Sequence, residues 1–149
     1  MPILVTLLPC VIIFLICGTL GLLGNTSLII ATFRNKNLRG PCNILIALNA
    51  FGDIFHQLAH IPLAYYTFTG NTYAPLKTCF IIQFVPNFFM NFSMFLLLMI
   101  GIDRFISIKW PLNYQAFRKA HYLTSMIAPA ILFGVLNVCC AYYTDYNSK

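Results

Sequence analysis

Residues Met1 to Phe33 carry no charged side chain, and the run from Ile12 to Ala31 within them is almost wholly apolar. A helix of about 20 such residues rises roughly 30 Å, the thickness of a bilayer's hydrocarbon core. Three more windows repeat the pattern: Asn43 to Tyr66, interrupted only by Asp53, then Cys79 to Ile102, and Tyr122 to Tyr143. Periodicity and length therefore predict an all-α membrane protein with four spanning helices, at about 8–32, 43–67, 79–108 and 122–143. The first window lacks the positive flank and small-residue cleavage site of a signal peptide, so it is expected to stay as an anchor.

Composition closes off the alternatives. Only 12 of the 149 residues are Lys, Arg, Asp or Glu, 60% are hydrophobic, and mean hydropathy is +0.81. Soluble domains average roughly 25% charged residues, so a water-soluble fold is excluded and the lipid bilayer is the solvent. The net charge of +6 is no nucleic-acid footprint, because its Lys and Arg residues fall into short clusters between apolar stretches. Those clusters orient the chain. The first loop carries Arg34, Lys36 and Arg39 and the third Lys109, Arg118 and Lys119, against Lys77 alone in the second and Lys149 in the tail. By the positive-inside rule the first and third loops face the cytoplasm, and the N-terminus, second loop and C-terminus lie outside.

Pro2, Pro9, Pro62, Pro86 and Pro129 lie within or beside the spans and predict kinks, while 68–78 and 110–119 read as loops. No Ser-His-Asp elbow, metalloprotease helix, phosphate loop or Cys-x-x-Cys pair is present in the sequence, so an enzyme is not expected. Cys10, Cys17 and Cys42 read as packing residues, as do Cys139 and Cys140.

The polar residues inside the spans stand out against this background. Asp53 is the only acid near the middle of a span, where a carboxylate costs roughly 2.5–3.5 kcal/mol. Asn49, Asp53, His56, Gln57 and His60 share one helical face, which must look into the bundle or a hydrated cavity. Burial alone favours a neutral carboxyl, whereas an ion or a ring of donors would hold it charged, and the sequence leaves both open. The same stripe is also compatible with plain helix-to-helix hydrogen bonding. In the third span Gln83, Asn87 and Asn91 recur every four residues, with Pro86, Ser93 and Arg104 on a neighbouring face. Asp103 and Arg104 end that span as adjacent opposite charges.

Order, sidedness and spacing together resemble the first four helices of a rhodopsin-like (class A) G-protein-coupled receptor. Gly24-Asn25 is similar to the family's first-helix pair, and Asp53 to its intramembrane aspartate. Cys79 precedes Arg104 by 25 residues, the family's separation of extracellular cysteine and motif arginine. The Asp-Arg-Tyr motif stands here as Asp103-Arg104-Phe105, followed by Pro111-Leu112-Asn113-Tyr114. More narrowly, Leu38-Arg39 to Cys42-Asn43, Asp53-Ile54-Phe55-His56 and Gly101-Ile102-Asp103-Arg104 resemble nematode serpentine chemosensory receptors of the Srsx class.

The resemblance implies one partial seven-transmembrane receptor domain over residues 1–149, which detects an extracellular ligand and signals to a heterotrimeric G protein. Asp103 would restrain Arg104 at rest; with Phe105, Pro111 and Leu112 they would form the coupling switch, Leu112 entering a pocket of the partner. Asn25, Asp53 and Ser93 would form a hydrated network able to take a sodium ion, with no other cofactor. Gln83, Pro86, Asn87 and Asn91 would line the ligand cavity, and Cys79 would seek a disulfide partner in the loop after the fourth helix.

Phe105 departs from the usual Tyr, and the fourth helix lacks its usual Trp. Pro86 stands where amine receptors carry a ligand-binding aspartate, which disfavours a biogenic amine. Helices five to seven are missing from the sequence, so the resemblance implies a receptor fragment that does not signal alone. The competing reading from residues alone is a small ion or metal transporter using Asp53, His56 and His60 as ligands or a proton relay.

Overall fold

The computed structural model describes residues 2–70 and 76–147, with side chains from residue 8 to 144 apart from those of residues 37, 76, 115 and 116. Asn71 and Pro75 of the second loop, and Lys149, lie outside the described residues, as does the Asp145 side chain. The described chain is helical throughout: α1 (Pro2–Arg34), a short 3-10 turn (Lys36–Leu38), α2 (Pro41–Leu58), α3 (His60–Thr69), α4 (Leu76–Lys109), α5 (Pro111–Ala116) and α6 (Lys119–Asn147). Four helical segments are long and apolar enough to cross a membrane: Leu8–Arg34, Pro41–Thr69, Lys77–Lys109 and Lys119–Thr144. These match the four expected spans; the first extends past its expected C-terminal end and the other three past both ends.

Proline chemistry explains the interruption in the second span. Pro62 has no N–H, so the carbonyl four residues earlier, on Leu58, loses its helical donor. The Ala59 N–H turns to the His56 carbonyl at 3.1 Å while its backbone stays right-handed (φ −62, ψ −24). The path bends without leaving the helical region, and α3 continues to Gly70, whose φ of 69 supplies the left-handed cap that L-residues resist. Pro9, Pro86 and Pro129 lie inside α1, α4 and α6, which run through them.

The expected loop at 110–119 is different. Pro111 occupies the first helical position of α5, where its missing N–H costs nothing. The Tyr114 N–H closes onto the Trp110 carbonyl at 3.0 Å, so residues 111–116 form a short helix where turn residues alone predict a loop.

In the bundle α2 packs between α1 and α4, and α6 lies on the other side of α4. Lipid gives no hydrophobic drive for helices to associate, so close packing and small residues must hold them together. On α6 the buried residues Tyr122, Met126, Ala130, Gly134 and Val138 recur every four positions, one ridge of an α-helix. Side-chain size falls from Tyr122 to Gly134 along that ridge, and at Gly134 an added Cβ would press on the Phe88 ring and its carbonyl. Facing it, Phe92 and Leu96 of α4 join Leu45 of α2 in the core. Gly52 serves the same purpose between α2 and α4, since a Cβ there would collide with Ser93 Oγ. Large apolar residues such as Leu20, Leu23, Ile81 and Leu132 point outward, as a lipid-solvated surface allows.

Replacing Gly52 by Val should therefore push α2 off α4 and cost about 1–3 kcal/mol, read as a lower unfolding midpoint in detergent. Gly24→Ala, at a position with open space around it, should change stability by less than about 0.5 kcal/mol.

Candidate functional site

Two polar centres interrupt the apolar interior. The first lies at the end of α4 that adjoins the basic loops. Asp103 is fully buried, with no exposed surface. Its Oδ1 accepts two hydroxyl hydrogen bonds, from Tyr114 of α5 at 3.0 Å and from Tyr122 of α6 at 2.9 Å. The two rings meet edge to face at 5.6 Å, and Phe117 stacks on Tyr122, so the carboxylate sits under an aromatic roof. Oδ2 has no hydrogen-bond partner. Burial, followed by the hydrogen bond to Asp103, pushes the Tyr114 hydroxyl up to about 12.

Arg104 is exposed, and among the described residues no ion pair joins it to Asp103. The hydrogen bonds that Asp103 accepts come from the two tyrosines, which clasp it. Adjacent helical residues point about 100° apart, so a carboxylate turned toward α5 and α6 turns its neighbour away from them. Beside Arg104, Phe105 and Trp110 flank the Lys109 ammonium at 5.4 and 4.7 Å from their ring centres. Pro111 is exposed, and Leu112 is 82% exposed on α5. Together these residues make an apolar and cationic surface at the basic end.

The second centre lies in the middle of α2. Asn49 is buried and its Nδ2 donates to Asp53 Oδ2 at 3.0 Å. Ser93 of α4, also buried, donates across the helix gap to the Asn49 carbonyl at 3.5 Å. Asn49 Oδ1 is buried without a hydrogen-bond partner. The carboxylate, the orphaned amide oxygen and the hydroxyl are each oxygen donors of the type hard cations accept. Asn25 is half-buried on α1.

Gln57 and His60 turn to α1, where Gln57 fills the space over Gly21 and His60 stacks on Phe14 at 5.2 Å. His56 and His60 meet at 5.7 Å, but Asp53 is engaged by Asn49. Among the described residues no three His, Cys, Asp or Glu side chains are grouped to hold a metal. His60 begins α3 beyond Ala59 and still meets His56 of α2.

Gln83, Pro86, Asn87 and Asn91 are half-buried along α4. Asn91 Nδ2 donates to the Asn87 carbonyl at 2.8 Å and to its side-chain oxygen at 3.2 Å, so this pair is bonded within its own helix. Cys79, Cys139 and Cys140 are exposed free thiols. Sequence reasoning missed Tyr122, because nothing in a separation of 19 residues marks a hydroxyl as the partner of Asp103.

Comparison with known proteins places these features in a family. The family described as serpentine type 7TM GPCR chemoreceptor Srsx matches residues 18–148. Endothelin receptor type B of Rattus norvegicus is 32% identical over 87 residues, 58% of this chain and 20% of that protein. The [Phe13]-bombesin receptor of Bombina orientalis is 33% identical over 98 residues, 65% of this chain and 25% of its own length. Trace amine-associated receptor 9 of Mus musculus is 29% identical over 136 residues, 87% of this chain and 38% of that receptor. The chain thus spans between a fifth and two fifths of the length of these relatives.

The clasp has measurable consequences. Tyr122→Phe leaves Asp103 Oδ1 with one donor and should destabilise the protein by about 1–3 kcal/mol in thermal or denaturant unfolding. Subtracting the phenolate titration of Tyr114→Phe from that of the parent should isolate a step near 12 instead of the usual 10. Because the folded value is the higher one, this stabilisation is complete below about pH 10 and is lost as pH rises through about 12.

Proposed function

Because the chain belongs to the Srsx family of serpentine-type 7TM GPCR chemoreceptors, we propose that it senses an extracellular chemical and passes the signal to a heterotrimeric G protein. The observation that carries this reading is the family match across residues 18–148. Its four spans correspond to the first four helices of the seven-helix bundle, and the chemistry is that of a receptor and not of an enzyme. The charge bias of the loops supports a plasma-membrane orientation with the basic end in the cytoplasm and the N-terminus outside.

In this reading the clasped Asp103 leaves Arg104 available at the cytoplasmic face. Arg104, Phe105 and Leu112 would meet the G protein, with Pro111 setting the start of the helix that presents Leu112. The ligand enters from the opposite end, where Gln83, Pro86, Asn87 and Asn91 supply the α4 wall of its cavity. Cys79 stands at that outer end as the disulfide candidate. Sodium is the ion suited to the middle centre, held by Asp53 and Ser93 with Asn49 Oδ1, and Asn25 would complete the hydrated network. When bound it would balance the carboxylate charge inside the membrane.

Cells expressing the receptor that carries this chain, with G-protein dissociation sensors and a panel of volatile and water-soluble chemicals, test the coupling. Leu112→Ala and Arg104→Ala should lower the response at least tenfold at unchanged surface expression, on the order of 1.4 kcal/mol of coupling. Responses equal to the parent in both variants would assign signalling to another surface. For the ion, the unfolding midpoint of the purified chain should be higher in sodium chloride than in choline chloride at equal ionic strength. Asp53→Asn should abolish that difference; its persistence would remove Asp53 from the site.

A further inference from the structure

The face of α2 opposite Asp53 borders a groove that the receptor chemistry does not use. Ile44, Ala47, Leu48 and Phe51 recur with helical spacing, and Asp53 lies about half a turn away from their common direction. Together with α1 and Ile127 of α6 they enclose a groove of about 750 Å³, within the roughly 300–1,000 Å³ of small-molecule sites. Thr32 lines it too, but its hydroxyl already donates to the Leu28 carbonyl at 3.0 Å. The only charged side chain in the lining is Arg39, at the basic end.

The mouth of the groove is built from cations. Arg39 spends one guanidinium donor on the Phe33 carbonyl at 2.8 Å, leaving the others of its fork unassigned. The Lys119 ammonium donates to the Arg39 carbonyl, which brings the start of α6 to the same rim. Arg34, Lys36 and Arg118 lie nearby in sequence, and all five basic side chains are exposed. The single acid at this end, Asp103, is buried under its two tyrosines and neutralises none of them. An apolar slot running into the bilayer and ending in unneutralised cations at the interface is complementary to one kind of molecule.

We propose that this groove binds an anionic glycerophospholipid. One acyl chain lies against Phe33, Ala47, Leu48, Phe51 and Ile127, and the headgroup phosphate meets Arg39 and Lys119. The cytoplasmic placement of the site rests on the orientation proposed above. Basic pockets between transmembrane helices hold lipid headgroups in this way, and each cation near a membrane surface strengthens anion attraction several-fold. The occupied face is opposite the Asp53 centre, so lipid and ion need not compete for the same side of α2.

The test uses the full chain in symmetric nanodiscs of equal parts phosphatidylcholine and phosphatidylglycerol. A trace of either lipid carries a photoactivatable group in its acyl chain, and labelled peptides are mapped by mass spectrometry. The phosphatidylglycerol probe should label peptides containing Phe33 and Phe51 roughly tenfold more than the phosphatidylcholine probe. The double variant Arg39→Gln, Lys119→Gln should level the two probes, whereas the double variant Arg104→Gln, Lys109→Gln, an equal loss of two charges at residues outside the groove lining, should leave the preference intact. Ala47→Phe should remove labelling by both probes at those peptides while labelling beside Leu132 persists. If Ala47→Phe does not fold, the charge variants decide. Equal labelling by both probes in the parent, a preference that survives the double variant, or displacement of both probes by added cholesterol or by a second copy of the chain would overturn the proposal. Symmetric bilayers make the result independent of orientation and of G-protein coupling, so its failure would leave the receptor reading untouched.

Discussion

The arrangement at the basic end hangs on satisfying one buried carboxylate. Asp103 has no contact with solvent, and leaving such a group unpaired costs several kcal/mol. Two hydroxyls from different elements meet the demand, so the need of one atom fixes the positions of α5 and α6 relative to α4. Tyr122 then begins the α6 ridge that runs through Met126 and Ala130 to Gly134. Tyr114 holds down the short helix that turns Leu112 outward. An electrostatic requirement at one end thereby sets a packing register that continues along most of a span.

The same economy governs the middle of the bundle. Asn49 faces Asp53 with its amide nitrogen and receives Ser93 on its backbone carbonyl, so it links α2 to α4 and supports the acid at once. Gly52, next to Asp53, lets the two helices approach closely enough for that link to form. A polar centre in lipid depends on a small residue beside it, because distance decides whether its hydrogen bonds exist.

Span number and the all-helical class were legible in the sequence because charge-free windows of about 20 residues leave a chain few alternatives in lipid. Asp53 was legible as a costly group for the same reason, and Asp103 as one of two opposite charges at the end of a span. Their partners were not. Tyr114 reads only as the end of a loop motif and Tyr122 as the start of a span, and the fold of 111–116 into α5 brings both hydroxyls onto one oxygen. The shared face of Asn49, Asp53, His56, Gln57 and His60 assumes an unbroken helix, and the helix is interrupted at Ala59, whose N–H turns to the His56 carbonyl ahead of Pro62. Periodicity assumes a continuous axis, and a displaced backbone hydrogen bond resets the phase.

That bend at Ala59 divides the second span into two pieces with separate obligations. The inner piece, α2, is tied to α4 through Asn49 and Gly52, and sequence change there must preserve close contact. The outer piece, α3, contacts mainly α1 and meets α2 only at the bend. Its direction can therefore drift as its residues change without disturbing the core beneath it. A span jointed in this way lets one half change its course at little structural expense to the other.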